Sequence, residues 1–341
     1  MLARRRMKPN GLFKRRQGNT RPTTGGPTNA LHGRTSREDG EAGVAIPDGI
    51  LAVLVTPMTE AGDVDCEGLK TNARWLVEKG VHGLIPLGST GEFASLTDVQ
   101  ARTVLDTVVE AVDDAVPVIA GASAETTERA IEKVVQAKRA GAAGALVLPP
   151  WYYTPDPAEL LYHYTRISED AGLPIMIYNN PFTSKVDIPP DVIARLAELE
   201  NIVGVKESSG NIRRIAEIRL LAEDRIRIFC GWEDMAYESF VMGARGWVCV
   251  AGNVVPSECR RLYSLIVEDD DRETAWEVYR EILPLLRYLE YEGKTQKALK
   301  YMLDKMGLCG GFSSSPKLPL APEDEAKLDH LMKDLGIRTT A

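Results

Sequence analysis

The chain has 341 residues, 44% apolar and 26% charged, an ordinary globular balance that can bury a full core. No apolar run reaches 18 residues, which argues against a membrane span. The net charge of −8 conceals ten basic and no acidic side chains within residues 1–37, so the remaining body is strongly acidic and ill suited to nucleic acid.

Five scattered cysteines (Cys66, Cys230, Cys249, Cys259, Cys309) form no C-x-x-C pair, and the four histidines stand apart. That spacing argues against a disulfide framework and a protein-bound metal, and suits a reducing, cytoplasmic setting.

In chain order, residues 1–46 are rich in Arg, Gly, Pro, Thr and Asn, lack apolar periodicity and read as a disordered basic extension. A solvated tail or an early start upstream of Met7, an Arg-rich presequence, and an arm for an anionic partner all fit; a secretory signal does not, because no apolar core follows the charges. From residue 48 short apolar runs alternate with amphipathic segments. The runs are 51–55, 83–88, 117–121, 144–150, 174–181, 202–207, 226–231 and 246–253, rich in Val, Ile and Leu and bounded by Gly or Pro, as buried parallel strands should be. Between them, 96–112 shows helical spacing, with Leu96, Val99, Val104, Val108 and Val112 expected on one stripe.

Eight β–α units in series predict a (β/α)₈ TIM barrel over 47–255; an open sheet is the rival, and no G-x-G-x-x-G follows the first strand. Residues 256–325 then read as C-terminal helices packed on the barrel, including 273–291 and 295–307, with 326–341 as a tail and no second domain.

In such a barrel, catalytic groups sit at the C-terminal strand ends. Lys206 lies in the apolar run 202-IVGVKE-207. Burial there disfavours its ammonium form, and the neutral amine is the nucleophile that condenses with a ketone. The bland alternative is an ion pair with Glu207, although strand neighbours face opposite ways. Tyr178 ends the neighbouring run and reads either as a proton-shuttling phenol or as a core tyrosine. The 88-GSTGE-92 string places two hydroxyls between glycines, a carboxylate nest or an ordinary turn in which Glu92 only starts a helix.

Together GSTGE, Y-N-x-P and VKESSG, in this order on strands two, five and six, resemble the dihydrodipicolinate synthase / N-acetylneuraminate lyase family over roughly residues 48–325. The resemblance implies a Schiff-base enzyme on this barrel, usually a tetramer built as a pair of tight dimers, needing no organic cofactor or catalytic metal. It makes Lys206 the imine-forming lysine and Tyr178 the acid/base phenol. Ser89 and Thr90 match the paired hydroxyls, and Thr90 with the loop amides around Gly91 would hold the substrate carboxylate. Tyr152 matches a relay tyrosine near a subunit interface, while Gly231 and Val248 would border the pocket.

One position departs from the family's synthases. Five residues after the strand-five tyrosine they carry an arginine for the carboxylate of aspartate semialdehyde, where this chain has Thr183. Threonine offers no bidentate fork. Asn180, Phe182 and Thr183 suit a neutral or hydroxylated tail, and Asn180 with Gly231-Trp232 and Gly246-Trp247 resembles members acting on sugar acids or hydroxyproline. The expected activity is therefore cleavage, dehydration or deamination of a small 2-oxo acid. The alternatives are 4-hydroxy-tetrahydrodipicolinate synthase and a barrel that binds without catalysis.

Overall fold

The computed structural model describes residues 46–340. Eight short strands form its centre: β1 Gly49–Val53, β2 Gly83–Ile85, β3 Ile119–Gly121, β4 Gly144–Val147, β5 Ile175–Asn179, β6 Ile202–Glu207, β7 Arg227–Cys230 and β8 Gly246–Cys249. All pair in parallel in the order β2-β1-β8-β7-β6-β5-β4-β3. A parallel bridge from Leu84 to Val118 joins the two ends of that order, with Leu84 N donating to Pro117 O (3.1 Å) and Gly121 N to Pro86 O (2.9 Å). The result is the expected (β/α)₈ barrel and not an open sheet.

Strand alternation sorts the apolar residues into two layers. Leu51, Val53, Ile85, Ile119, Leu146, Met176, Phe229 and Val248 point into the barrel, while Ile50, Ala52, Leu84, Ala120, Ala145 and Ile175 face the surrounding helices. Each large aliphatic side chain so buried contributes about 1.5–3 kcal/mol. Closure also needs space: a Cβ on Gly121 would meet Leu87 O at 1.9 Å.

The helix Asp98–Val112 starts where expected, with Thr97 accepting from Gln100 N and the Gln100 side chain accepting from Thr97 N (3.0 Å). Val104, Val108 and Val112 are buried, but Val99 is 77% exposed. Five residues separate Val99 from Val104, which turns it about 140° away from the stripe.

Three expected boundaries move. Ile46, assigned to the extension, is 1% exposed and fills the barrel interior beside Gly144; residues 1–45 lie outside the described residues. The helix Pro256–Tyr263, continued to Glu268, packs against β1, so the barrel's own helices run past 255. Residues 326–341 are not simply a tail. The helix Pro322–Asp334 spans most of that segment and buries Leu328 and Met332 in the outer core. The helices Arg272–Tyr291 and Thr295–Lys305 agree with the sequence reading.

Candidate active site

Because every strand is parallel, all C-terminal ends open on one rim. There a cavity of about 250 Å³ is lined by Val53, Gly88, Ser89, Thr90, Leu146, Tyr178, Asn180, Lys206, Gly231 and Val250 from the barrel. The C-terminal helices and their connection close its far side.

Lys206 and Tyr178 are register partners on β6 and β5 and face inward together. Lys206 Nζ lies 4.2 Å from the centre of the Tyr178 ring, and both residues are buried. Glu207 faces the other way, where Arg214 Nε donates to it (3.0 Å) and Asn179 Nδ2 does too (3.1 Å). The alternative of a Lys206–Glu207 ion pair is thus removed by strand alternation. Gly231 leaves room for the lysine: a Cβ there would meet Ser208 Oγ at 2.0 Å and Lys206 Cγ at 2.7 Å.

Burial alone would push the Tyr178 phenol upward, but the neighbouring Lys206 charge and a hydrogen bond from Asn180 Nδ2 (2.9 Å) prevail and hold it below its ordinary value. A phenol so placed gives up its proton more readily.

The hydroxyl loop is held on both flanks. Leu87 (φ 61°) and Glu92 (φ 59°) adopt left-handed conformations that non-glycine residues rarely take, on either side of Gly88–Gly91. Gln296 Nε2 donates to Ser89 O (2.7 Å), and the Ser89 Oγ is buried without a hydrogen-bond partner among the described residues. Glu92 does more than start a helix. Its fully buried carboxylate meets Lys300 Nζ (2.8 Å) and Lys317 Nζ (2.9 Å), tying the loop to the C-terminal segment.

Of the residues singled out by sequence, Lys206, Tyr178, Ser89, Thr90, Asn180 and Gly231 meet at the cavity. Gly91 does not; its carbonyl turns back to accept from Thr56 Oγ1 (2.8 Å). Val248 lies deeper, in the barrel core, and Val250 two residues later takes the rim position. Thr183 is exposed outside the cavity. Tyr152 is 78% exposed, edge-stacked on Tyr153, in a loop whose Trp151 and Tyr152 amides donate to Glu125 (3.2 Å each).

Sequence reading missed Glu233, Leu289, Glu290, Gly293, Thr295 and Gln296, which also line the cavity. Glu233, two residues past the strand-seven glycine, was within reach of the strand-end rule. The others come from C-terminal helices, whose position over the rim has no signal in periodicity. Burial pushes Glu233 up to about 7, and its oxygens accept from Val250 N and Ala251 N (2.9 Å each). Burial and Asp234 likewise raise Glu290 against the opposing pull of Lys206. Among the described residues no three His, Cys, Asp or Glu side chains group as metal ligands, and no helix is long and apolar enough to cross a membrane.

Comparison with known proteins agrees with this geometry. The family model described as the dihydrodipicolinate synthetase family matches residues 46–337. A 4-hydroxy-tetrahydrodipicolinate synthase from Methanosarcina mazei is 35% identical over 85% of this chain and 99% of its own. The crystal structure of dihydrodipicolinate synthase from Aquifex aeolicus superposes with a TM-score of 0.83 at 30% identity, covering 86% of this chain and all of that one. A prophage protein of the same family from E. coli K12, solved in complex with pyruvate, gives 0.81 at 25% identity, covering 85% and 99%. The chain belongs to the dihydrodipicolinate synthetase family and is a class I, Schiff-base lyase.

Proposed function

We propose that this lyase forms its imine between Lys206 and C2 of a small, pyruvate-type 2-oxo acid and then breaks a bond beyond C3. One observation carries the assignment of the nucleophile: Lys206 is 5% exposed, forms no ion pair among the described residues, and is the sole cation lining the cavity. A lysine buried without a carboxylate partner is costly unless its amine is used.

In this mechanism the amides and hydroxyls of Ser89 and Thr90, beside Gly88, receive the C1 carboxylate. Lys206 Nζ adds to C2, and Tyr178 protonates the departing hydroxyl so that water leaves and an iminium remains. For aldol cleavage, Tyr178 takes the proton of a C4 hydroxyl while the C3–C4 electrons flow into the iminium, releasing an aldehyde and an enamine. For dehydration or deamination, a C3 proton is removed and the C4 substituent departs with a proton. Protonation at C3 and hydrolysis of the imine complete the aldol turnover.

Borohydride with pyruvate should label one lysine, and the Lys206→Ala protein should take up no label. Undiminished labelling of that variant overturns the assignment. The names of the 35%-identical relatives favour a second reading, condensation of pyruvate with aspartate semialdehyde. Against it stand Thr183 at the arginine position and the lack, among the described residues, of any lining cation besides Lys206. Rapid steady-state turnover with both substrates would decide for the synthase.

The exposed Tyr152–Tyr153 pair supports a homotetramer in which Tyr152 reaches a neighbouring protomer's relay. The five free thiols, with Cys249 and Cys259 unbonded at 3.6 Å, support a cytoplasmic setting.

A further inference from the structure

The geometry points to Glu290 as the residue that selects the substrate beyond C3, by accepting a hydrogen bond from a hydroxyl or ammonium on the tail and repelling a second carboxylate. This rests on Lys206 holding C2 and the Ser89–Thr90 loop holding C1.

Glu290 closes the last turn of the helix Arg272–Tyr291 and lines the cavity together with Glu233, Thr295 and Gln296. Its Oε2 is fixed by Glu233 N (2.9 Å), and its Oε1 has no hydrogen-bond or ion-pair partner among the described residues. Glu233 is already occupied, because its two oxygens take the amides of Val250 and Ala251. Glu290 Oε1 is therefore the carboxylate oxygen left for a ligand.

The neighbouring polar groups are neutral. Thr295 Oγ1 spends its hydrogen on Leu289 O (2.6 Å) and offers only lone pairs. Gln296 and Asn180 each spend one amide hydrogen, on Ser89 O and Tyr178 Oη, and keep the other, a neutral donor without charge to offset Glu290. Once Lys206 has become an iminium, no further cation among the described residues lines the cavity. A tail carboxylate, which only accepts, would face a carboxylate in a confined space; a tail that donates finds a charge-assisted partner.

Saturation of borohydride-dependent inactivation reads this directly. The probes are 5-hydroxy-2-oxopentanoate, its 5-dimethylammonio analogue and 2-oxoglutarate, which differ only at the tail, each referred to pyruvate with the same protein. The wild type should saturate with a donor tail at about tenfold lower concentration than with 2-oxoglutarate, since a hydrogen bond to a charged group is at stake. Glu290→Gln should reduce that ratio about tenfold. Preference for the hydroxyl or for the ammonium analogue identifies which donor is used. Equal saturation by 2-oxoglutarate in the wild type, or an unchanged ratio in Glu290→Gln, overturns the proposal. If pyruvate itself fails to label, the role of Lys206 falls instead, and calorimetric affinities for the same three acids still test Glu290 by the same ratio.

Discussion

Replacing Lys300 with methionine should destabilise the protein by about 3 kcal/mol, the low end of what removing one partner of a buried ion pair costs. The low end applies because Glu92, fully buried, keeps a second partner: Lys317 stays 2.9 Å away and is itself 29% exposed. At about 2 °C per kcal/mol for a chain of this size, thermal unfolding followed by near-ultraviolet circular dichroism should move down by about 6 °C. Glu92→Gln combined with Lys300→Met should cost less than Lys300→Met alone, since neither buried charge then remains. The pH dependence has a definite sign. Burial would raise Glu92, but its two lysines win and hold it below the usual carboxylate range. A carboxyl lowered in the folded state contributes stability above its unfolded value and loses it as pH falls through the folded one. The gap between wild type and Lys300→Met should therefore narrow in acid, below about pH 4. A shift under about 1 °C at neutral pH, or a double variant as unstable as the sum of the singles, would refute the reasoning.

Tyr178→Phe keeps the ring beside Lys206 but removes the proton carrier. Turnover should fall by about 10²–10⁴, borohydride trapping of pyruvate should slow but still label Lys206, and undiminished turnover would take Tyr178 out of the mechanism. Gly231→Ala forces a methyl group into Ser208 Oγ and the Lys206 stem. Overpacking of this kind costs about 1–3 kcal/mol. The rate of imine trapping should drop further than the melting temperature implies, and a variant with wild-type trapping would show that the lysine needs no such clearance.

The legible half of this protein is the half built from strands. Lys206 and Tyr178 could be placed together from sequence because period-two alternation fixes which residues face inward, and parallel order puts adjacent strand ends on one rim. The same rule separates Lys206 from Glu207, which Arg214 claims on the outer face. Where register alone was insufficient the reading slipped by small steps, Val248 for Val250 and an exposed Val99 on the expected stripe. Glu92 does start a short helix, but its larger role was out of reach for a different reason. Its partners Lys300 and Lys317 lie more than 200 positions away, and no local pattern announces an ion pair closed by tertiary packing.

That division runs through the cavity itself. In the proposed mechanism the groups that would face C1 and C2 of a 2-oxo acid stand on strand ends and on the strained loop after β2, positions the barrel dictates. The groups that would face the tail are mostly Leu289, Glu290, Thr295 and Gln296, which line the cavity from helices over the rim. The second of these helices is tied to the loop after β2 by Gln296 and Lys300. A barrel arranged this way can keep its imine chemistry while exchanging the far wall. Overall identity of 35% to synthases thus speaks for the family and its Schiff-base chemistry and says little about the tail. With Thr183 outside the cavity and Glu290 inside it, the far wall holds carboxyl groups and, among the described residues, no lysine or arginine, where recognition of a second carboxylate demands positive charge.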